Sequence, residues 1–195
     1  RVLFRSLALA PDTDPSLFTL LAPSLNLRSR LGDIRDENVV GRTVADSEPE
    51  IVIHMAAQAL VRRSYAEPVA TFASNVMCTA HLLEALRQAP KLKAVLVVTS
   101  DKVYANDGTA IAFAEGAPLG GHDPYSASKA ATEMTAAAWS ASFLAPAGIA
   151  VATARAGNVV GGGDFAADRI VPDIWRARQA GTPLALRNPE ATRPW

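Results

Sequence analysis

Short unbroken apolar runs alternate along this chain with longer segments of helical period, and that alternation most restricts the fold. Ile51 to Met55, Ala94 to Ser100 and Ile149 to Ala154 are nearly continuous in Val, Ile, Leu and Ala, the pattern of strands buried in a parallel sheet. A weaker strand ends at Gly32. Pro68 to Gln88 carries Val69, Phe72, Val76, Leu83 and Leu86 on one stripe, and Pro68 suits a first helical position. Tyr125 to about Ala145 is Ala-rich and stops at Pro146 and Gly148, and Val171 to Ala180 forms a further helix ended by Gly181. Strand and helix in this order give an α/β chain whose βαβ units wind a parallel sheet. Pro11 to Arg28 and Ala105 to Asp123 read as loosely structured.

With 195 residues and 49% of them apolar, the chain can bury one sizeable core. Its 19 Lys plus Arg cancel its 19 Asp plus Glu, and no block of like charge suggests a nucleic-acid arm or a polybasic membrane patch. The strongest apolar runs are far shorter than the roughly 20 residues of a membrane span. There is no secretory signal pattern, and Cys78 has no second cysteine to pair with. No His/Cys cluster has zinc-ligand spacing, so the expectation is a soluble, cytoplasmic protein without metal. The chain opens on Arg1 rather than Met and stops at Trp195 after the loop-like stretch Asn188 to Pro194. It reads as the central piece of a longer protein.

In a doubly wound sheet, ligands bind at the carboxyl ends of the strands. Polar residues gather there: Asp33 after the first run, His54 to Gln58 after the second, Ser100 to Lys102 after the third, Arg155 to Asp164 after the fourth. Tyr125 and Lys129 are four apart on one helix, hence on one face. An ammonium beside a phenol favours the phenolate and lowers a pKa ordinarily near 10, and a hydroxyl at Ser100 could share a hydrogen bond with that base and its substrate. The run Gly161-Gly162-Gly163 is not a nucleotide triphosphate loop, because Asp164 follows where Lys is required. It reads as a flexible substrate loop. His54 and His81 read as core or helix residues, His122 as closing the loop before Pro124, and Cys78 as a small buried side chain.

The strings Thr99-Ser100-Asp101-Lys102-Val103-Tyr104 and Tyr125-Ser126-Ala127-Ser128-Lys129 resemble the catalytic triad of the short-chain dehydrogenase/reductases, in their extended nucleotide-sugar branch. His54-Met55-Ala56-Ala57-Gln58, Asp33-Ile34-Arg35-Asp36 and Arg155 to Asp164 resemble that branch's cofactor and substrate segments, and the likeness runs from about Ala8 to Trp195. The resemblance implies a Rossmann-like doubly wound parallel sheet in three αβα layers, incomplete at the N-terminus and in the substrate domain. Residues 1–155 would be a partial NAD-binding domain without the first strand and its Gly-x-x-Gly-x-x-Gly turn, and residues 156–195 the start of the substrate-binding region.

By the same resemblance the catalytic residues are Ser100, Asp101, Lys102, Tyr125 and Lys129. NAD would lie along Asp33, Ile34, Ala56, Ala57, Gln58, Asn75, Thr99, Tyr125 and Lys129, and the substrate against Gln58, Asn158, Arg169 and Arg193. Asp101-Lys102 stands where relatives acting on dTDP-glucose carry Asp-Glu, and with Gln58 and Arg62-Arg63-Ser64-Tyr65 it resembles the group acting on CDP-glucose. The implied activity is that of a hydro-lyase of deoxysugar biosynthesis, dehydrating CDP-glucose to CDP-4-dehydro-6-deoxyglucose with NAD regenerated. A homodimer through the two long helices is implied as well. An epimerase or reductase on the same scaffold is the nearest alternative, which Asp101-Lys102 argues against. A non-catalytic module is another, which the intact triad argues against. Without a Gly-rich turn to receive the pyrophosphate, the chain alone is expected to bind NAD weakly or not at all. Cys78 departs from the family, which carries Gly in the corresponding Asn-x-x-Gly-Thr pattern.

Overall fold

The computed structural model describes residues 4–24, 26–108, 112–186 and 189–190. In chain order the elements are β1 (Phe4–Ala8), α1 (Leu17–Leu21), β2 (Leu27–Leu31), α2 (Glu37–Ser47), β3 (Ile51–His54), α3 (Val61–Ala66), α4 (Pro68–Phe72), α5 (Cys78–Leu86), β4 (Ala94–Val98), α6 (Pro124–Trp139), β5 (Ala150–Ala154) and α7 (Ile170–Ala180). Every strand pairing is parallel: β1 with β2 in one sheet, β3-β4-β5 in another. All the strands therefore end on matching sides of their sheets, as an α/β fold requires.

One core serves both sheets. Val40 and Val44 of α2, Leu83 and Leu86 of α5, Val95 and Val97 of β4, and Ala136, Leu144 and Ile149 form it, and Leu7 of β1 and Val52 of β3 pack against it. The three central strands were expected to be buried, and β3 and β5 each leave one face exposed. Val52, Val95 and Val151 share the covered face, whereas Ile51 and Ile53 stand 67% and 58% exposed on the other. The continuous apolar run reports a strand suited to a buried place, not whether the described residues cover it.

Pro68 to Leu86 is one helical run interrupted by a π-helical turn at Ala73–Met77. By length and composition it is apolar enough to cross a membrane, although its apolar residues form no continuous run. Its interior face carries buried Thr71, Asn75 and Thr79 against α6 beside Leu83 and Leu86, the surroundings of a core helix. Part of the stretch expected to lack structure is α1, started by a reciprocal capping box between Ser16 and Thr19. α6 begins at Pro124 with Asp123 capping Ser126 N, and α7 ends at Gly181 in the left-handed conformation, φ 64°. Gly121 passes so close to α6 that a Cβ there would lie 2.5 Å from the backbone of Ser126 and Ala127. His122 closes the same loop through Nε2 to the Asn106 carbonyl at 2.9 Å.

Candidate active site

β4 delivers Thr99 and Ser100 to the carboxyl edge of its sheet, and the chain then tightens into a 3₁₀ turn, Asp101–Val103. Ser100 caps that turn: its Oγ accepts from Lys102 N at 3.2 Å and donates to Asp101 Oδ1 at 3.2 Å. Lys102 Nζ donates to the same Asp101 oxygen at 3.3 Å, both side chains being partly exposed. From the facing helix, the Asp123 cap puts Tyr125 in the first turn of α6 and Lys129 one turn later, and both are buried. α6 packs against the turn that Ser100 caps, and the Ser100 side chain acts on the Tyr125 phenol. Ser100 and Tyr125, distant in sequence, are thus brought together, with Asp101 and Lys102 on the adjoining turn and Lys129 on the same helix.

The electrostatics of Tyr125 correct the expectation of a lowered pKa. Burial pushes the phenol above its ordinary value, the Ser100 side chain pulls the other way, Asp101 adds to the rise, and the positive Arg169 opposes it. Desolvation wins. The Lys129 ammonium donates to the Val98 carbonyl at 3.2 Å. Burial in turn brings Lys129 down to about 8, so this lysine can lose its proton at mildly alkaline pH. His54 is lowered to about 4, by burial first and the charge of Lys129 second, and stays neutral. Thr79 Oγ1 donates to the Asn75 carbonyl at 2.7 Å, so it accepts from His54 Nε2 at 3.0 Å, which fixes the Nε2–H tautomer.

Several expected ligand contacts are engaged inside the protein. The Asn75 amide accepts from Gln58 N at 2.8 Å and donates to the Gln58 carbonyl and to Ser128 Oγ, tying the loop after β3 to α6. The Gln58 side chain donates to the Leu60 carbonyl and to Thr71, and accepts from Leu60 N. Thr99 donates its hydroxyl to Glu133. Asp33 follows β2 and is held by Arg35, whose hydrogen bonds outweigh the effect of burial and lower the carboxyl below its ordinary value. Ile34, Ala56, Ala57 and Asn158 are half-buried at or after strand ends. Arg169 stands at the start of α7 with its Nε buried and without a partner among the described residues. Arg62 of α3 pairs with Asp168 at 2.8 Å. Arg193 lies outside the described residues.

Sequence reasoning missed Glu133 as a site residue. It is 5% exposed on α6, a turn beyond Lys129, and its carboxylate accepts from Thr99 Oγ1, Thr153 Oγ1, Arg155 Nε and Arg155 Nη2. Burial opposes its ionisation, but these hydrogen bonds prevail and hold the carboxyl below its ordinary value. A lone Glu inside an Ala-rich helix was the available signal.

The family model for GDP-mannose 4,6 dehydratase matches residues 20–195. The chain is 46% identical over 193 residues to a CDP-glucose 4,6-dehydratase of Salmonella typhimurium, covering 96% of this chain and 54% of that protein. It is 33% identical over 163 residues to a dTDP-glucose 4,6-dehydratase of Xanthomonas campestris, covering 80% of this chain and 45% of that one. Among solved structures, a double mutant of DesIV, a dTDP-glucose 4,6-dehydratase from Streptomyces venezuelae with NAD and DAU bound, superposes with a TM-score of 0.75 at 27% identity, covering 86% of this chain and 49% of that one. The chain spans about half the length of the curated relatives it matches.

Proposed function

Since the chain belongs to the GDP-mannose 4,6-dehydratase family, we propose that the protein carrying it dehydrates CDP-glucose to CDP-4-dehydro-6-deoxyglucose with NAD. The supporting observation is the Asp101-Lys102 pair on the Ser100-capped turn, facing Tyr125 and Lys129. The same two residues distinguish the CDP-glucose group in the sequence resemblance, and the 46% likeness to a CDP-glucose 4,6-dehydratase points the same way.

The residues present fit NAD. Asp33, the half-buried alanines Ala56 and Ala57, and Ser100 follow three parallel strands, and small side chains at 56 and 57 leave room for a flat ligand along those ends. Tyr125 and Lys129 would hold the nicotinamide ribose, and Asp33 with Ile34 the adenine end. Bound there, NAD would supply the hydride acceptor for sugar C4 and the donor for C6, so that none would be consumed. The open face at Ile51 and Ile53 is the place we assign to the helix that would follow the pyrophosphate turn.

Tyr125, once deprotonated, takes the proton of the sugar's 4-hydroxyl while Ser100 hydrogen-bonds that oxygen and the Lys129 charge favours the phenolate. The resulting 4-ketone acidifies C5–H. The Asp101-Lys102 pair then removes the C5 proton and protonates the C6 hydroxyl: the C5–H and C6–O bonds break, a C5=C6 double bond forms and water leaves. A proton returned to C5 completes the 6-deoxy sugar. Arg169, whose Nε has no partner among the described residues, and Asn158 are the described candidates for binding the sugar nucleotide, guanidinium being suited to phosphate. Val69, Met77 and Met134 are 82%, 51% and 64% exposed on the long helices, which supports a homodimer through that face. The test of specificity is turnover of CDP-glucose, dTDP-glucose and UDP-glucose by the full-length protein. Preference for CDP-glucose supports the assignment, and equal turnover of all three removes it while leaving the dehydratase reading intact.

A further inference from the structure

Glu133 and Arg155 form an ion pair that joins three elements around one buried carboxylate. Arg155 donates through Nε and Nη2 to Glu133 at 3.1 and 3.0 Å, while Thr99 beside Ser100 and Thr153 of β5 donate to the same group. A buried ion pair is a weak source of stability, since matched apolar residues often serve as well. Its geometry suggests another role. The remaining Arg155 nitrogen, Nη1, donates to the Glu115 carbonyl at 2.7 Å, and the guanidinium lies 4.9 Å from the centre of the Tyr104 ring. Tyr104 stacks on Phe113 with ring centroids 4.9 Å apart. Tyr104 follows the Asp101–Val103 turn directly, and its backbone bridges to Leu119. One guanidinium therefore clamps both limbs of the segment that continues from Asp101 and Lys102, and Glu133 anchors that clamp to the helix carrying Tyr125 and Lys129.

We propose that Glu133 and Arg155 are positioning residues which hold the Asp101-Lys102 turn in register for water elimination. The proposal rests on the dehydratase reading given above. Tyr125 and Lys129 are placed by α6 itself and by the Val98 carbonyl, and Ser100 by the end of β4. Loosening the clamp therefore leaves the C4 oxidation groups together and shifts the elimination pair. A displacement of about 1 Å is enough to cost a step about 10²-fold.

The experiment uses the full-length enzyme with NAD and CDP-glucose. The near-ultraviolet absorbance of reduced nicotinamide follows C4 oxidation, and 4-keto product follows the whole reaction. In Glu133→Gln the nicotinamide signal is expected to form within about twofold of the wild-type rate and to persist, while product formation falls about 10²-fold. Equal slowing of both signals, or slowing of neither, overturns the proposal. Tyr104→Leu, which leaves the ion pair in place, must show the same split in weaker form; a Tyr104→Leu enzyme with unchanged product formation overturns the proposal even where Glu133→Gln fails to fold. Wild-type enzyme that yields no 4-keto sugar defeats the functional reading first, a separate result obtained before any variant, and the proposal falls with it.

Discussion

Lys129 donates its ammonium to the Val98 carbonyl at 3.2 Å and meets no carboxylate among the described residues. Its charge is therefore carried by a buried group at the expense of stability. Because burial depresses the pKa of Lys129 to about 8, the penalty applies in full below that pH. Between pH 8 and the ordinary value of 10.5 the unfolded chain binds a proton that the folded chain lacks, so stability from this group rises with pH. Lys129→Met should raise neutral-pH stability by about 1 to 3 kcal/mol, fading toward zero in alkali, and abolish turnover. Denaturant melts across pH check the sign.

Glu133 has the opposite linkage. Its carboxyl is held below the ordinary value of 4.5, so its contribution is complete above that pH and is lost as pH falls through the lower folded value. Glu133→Gln should be about 1 to 3 kcal/mol less stable than wild type at neutral pH, with the difference closing in acid. A constant difference down to strongly acid pH would show that the charge is not involved.

The loop over the start of α6 depends on Gly121, where a Cβ would sit 2.5 Å from backbone atoms that cannot rotate away. Gly121→Ala should cost about 1 to 3 kcal/mol by overpacking and lower activity by displacing the turn that carries Tyr125. Thermal melting with assays in parallel measures both.

Much of this fold was legible because periodicity and caps are local. The strands around Ala94 and Ala150, the helix after Pro68 and the stop at Gly181 all follow from short-range pattern. Ser100, Tyr125 and Lys129 were legible through spacing and strand-end position. Long-range facts were not. The exposure of Ile51 and Ile53 depends on what covers β3, the raised pKa of Tyr125 depends on burial prevailing over a nearby cation, and the Glu133 cluster gathers Thr99, Thr153 and Arg155 from two other strand ends.

These 195 residues contain no Gly-x-x-Gly-x-x-Gly turn, the element that brings backbone N–H groups to a pyrophosphate. Calorimetric titration of this chain alone with NAD should show no saturable binding up to about 1 mM. Micromolar binding would mean that the strand ends described here suffice without that turn.

The central claim is tested most directly by incubating the full-length protein with CDP-glucose and NAD and following the alkali-dependent absorbance of the 4-keto sugar. The account predicts product without net accumulation of NADH in the wild type, and its loss in Lys102→Met. Epimerisation at C4 without 4-keto product, or a Lys102→Met enzyme as active as the wild type, would contradict it.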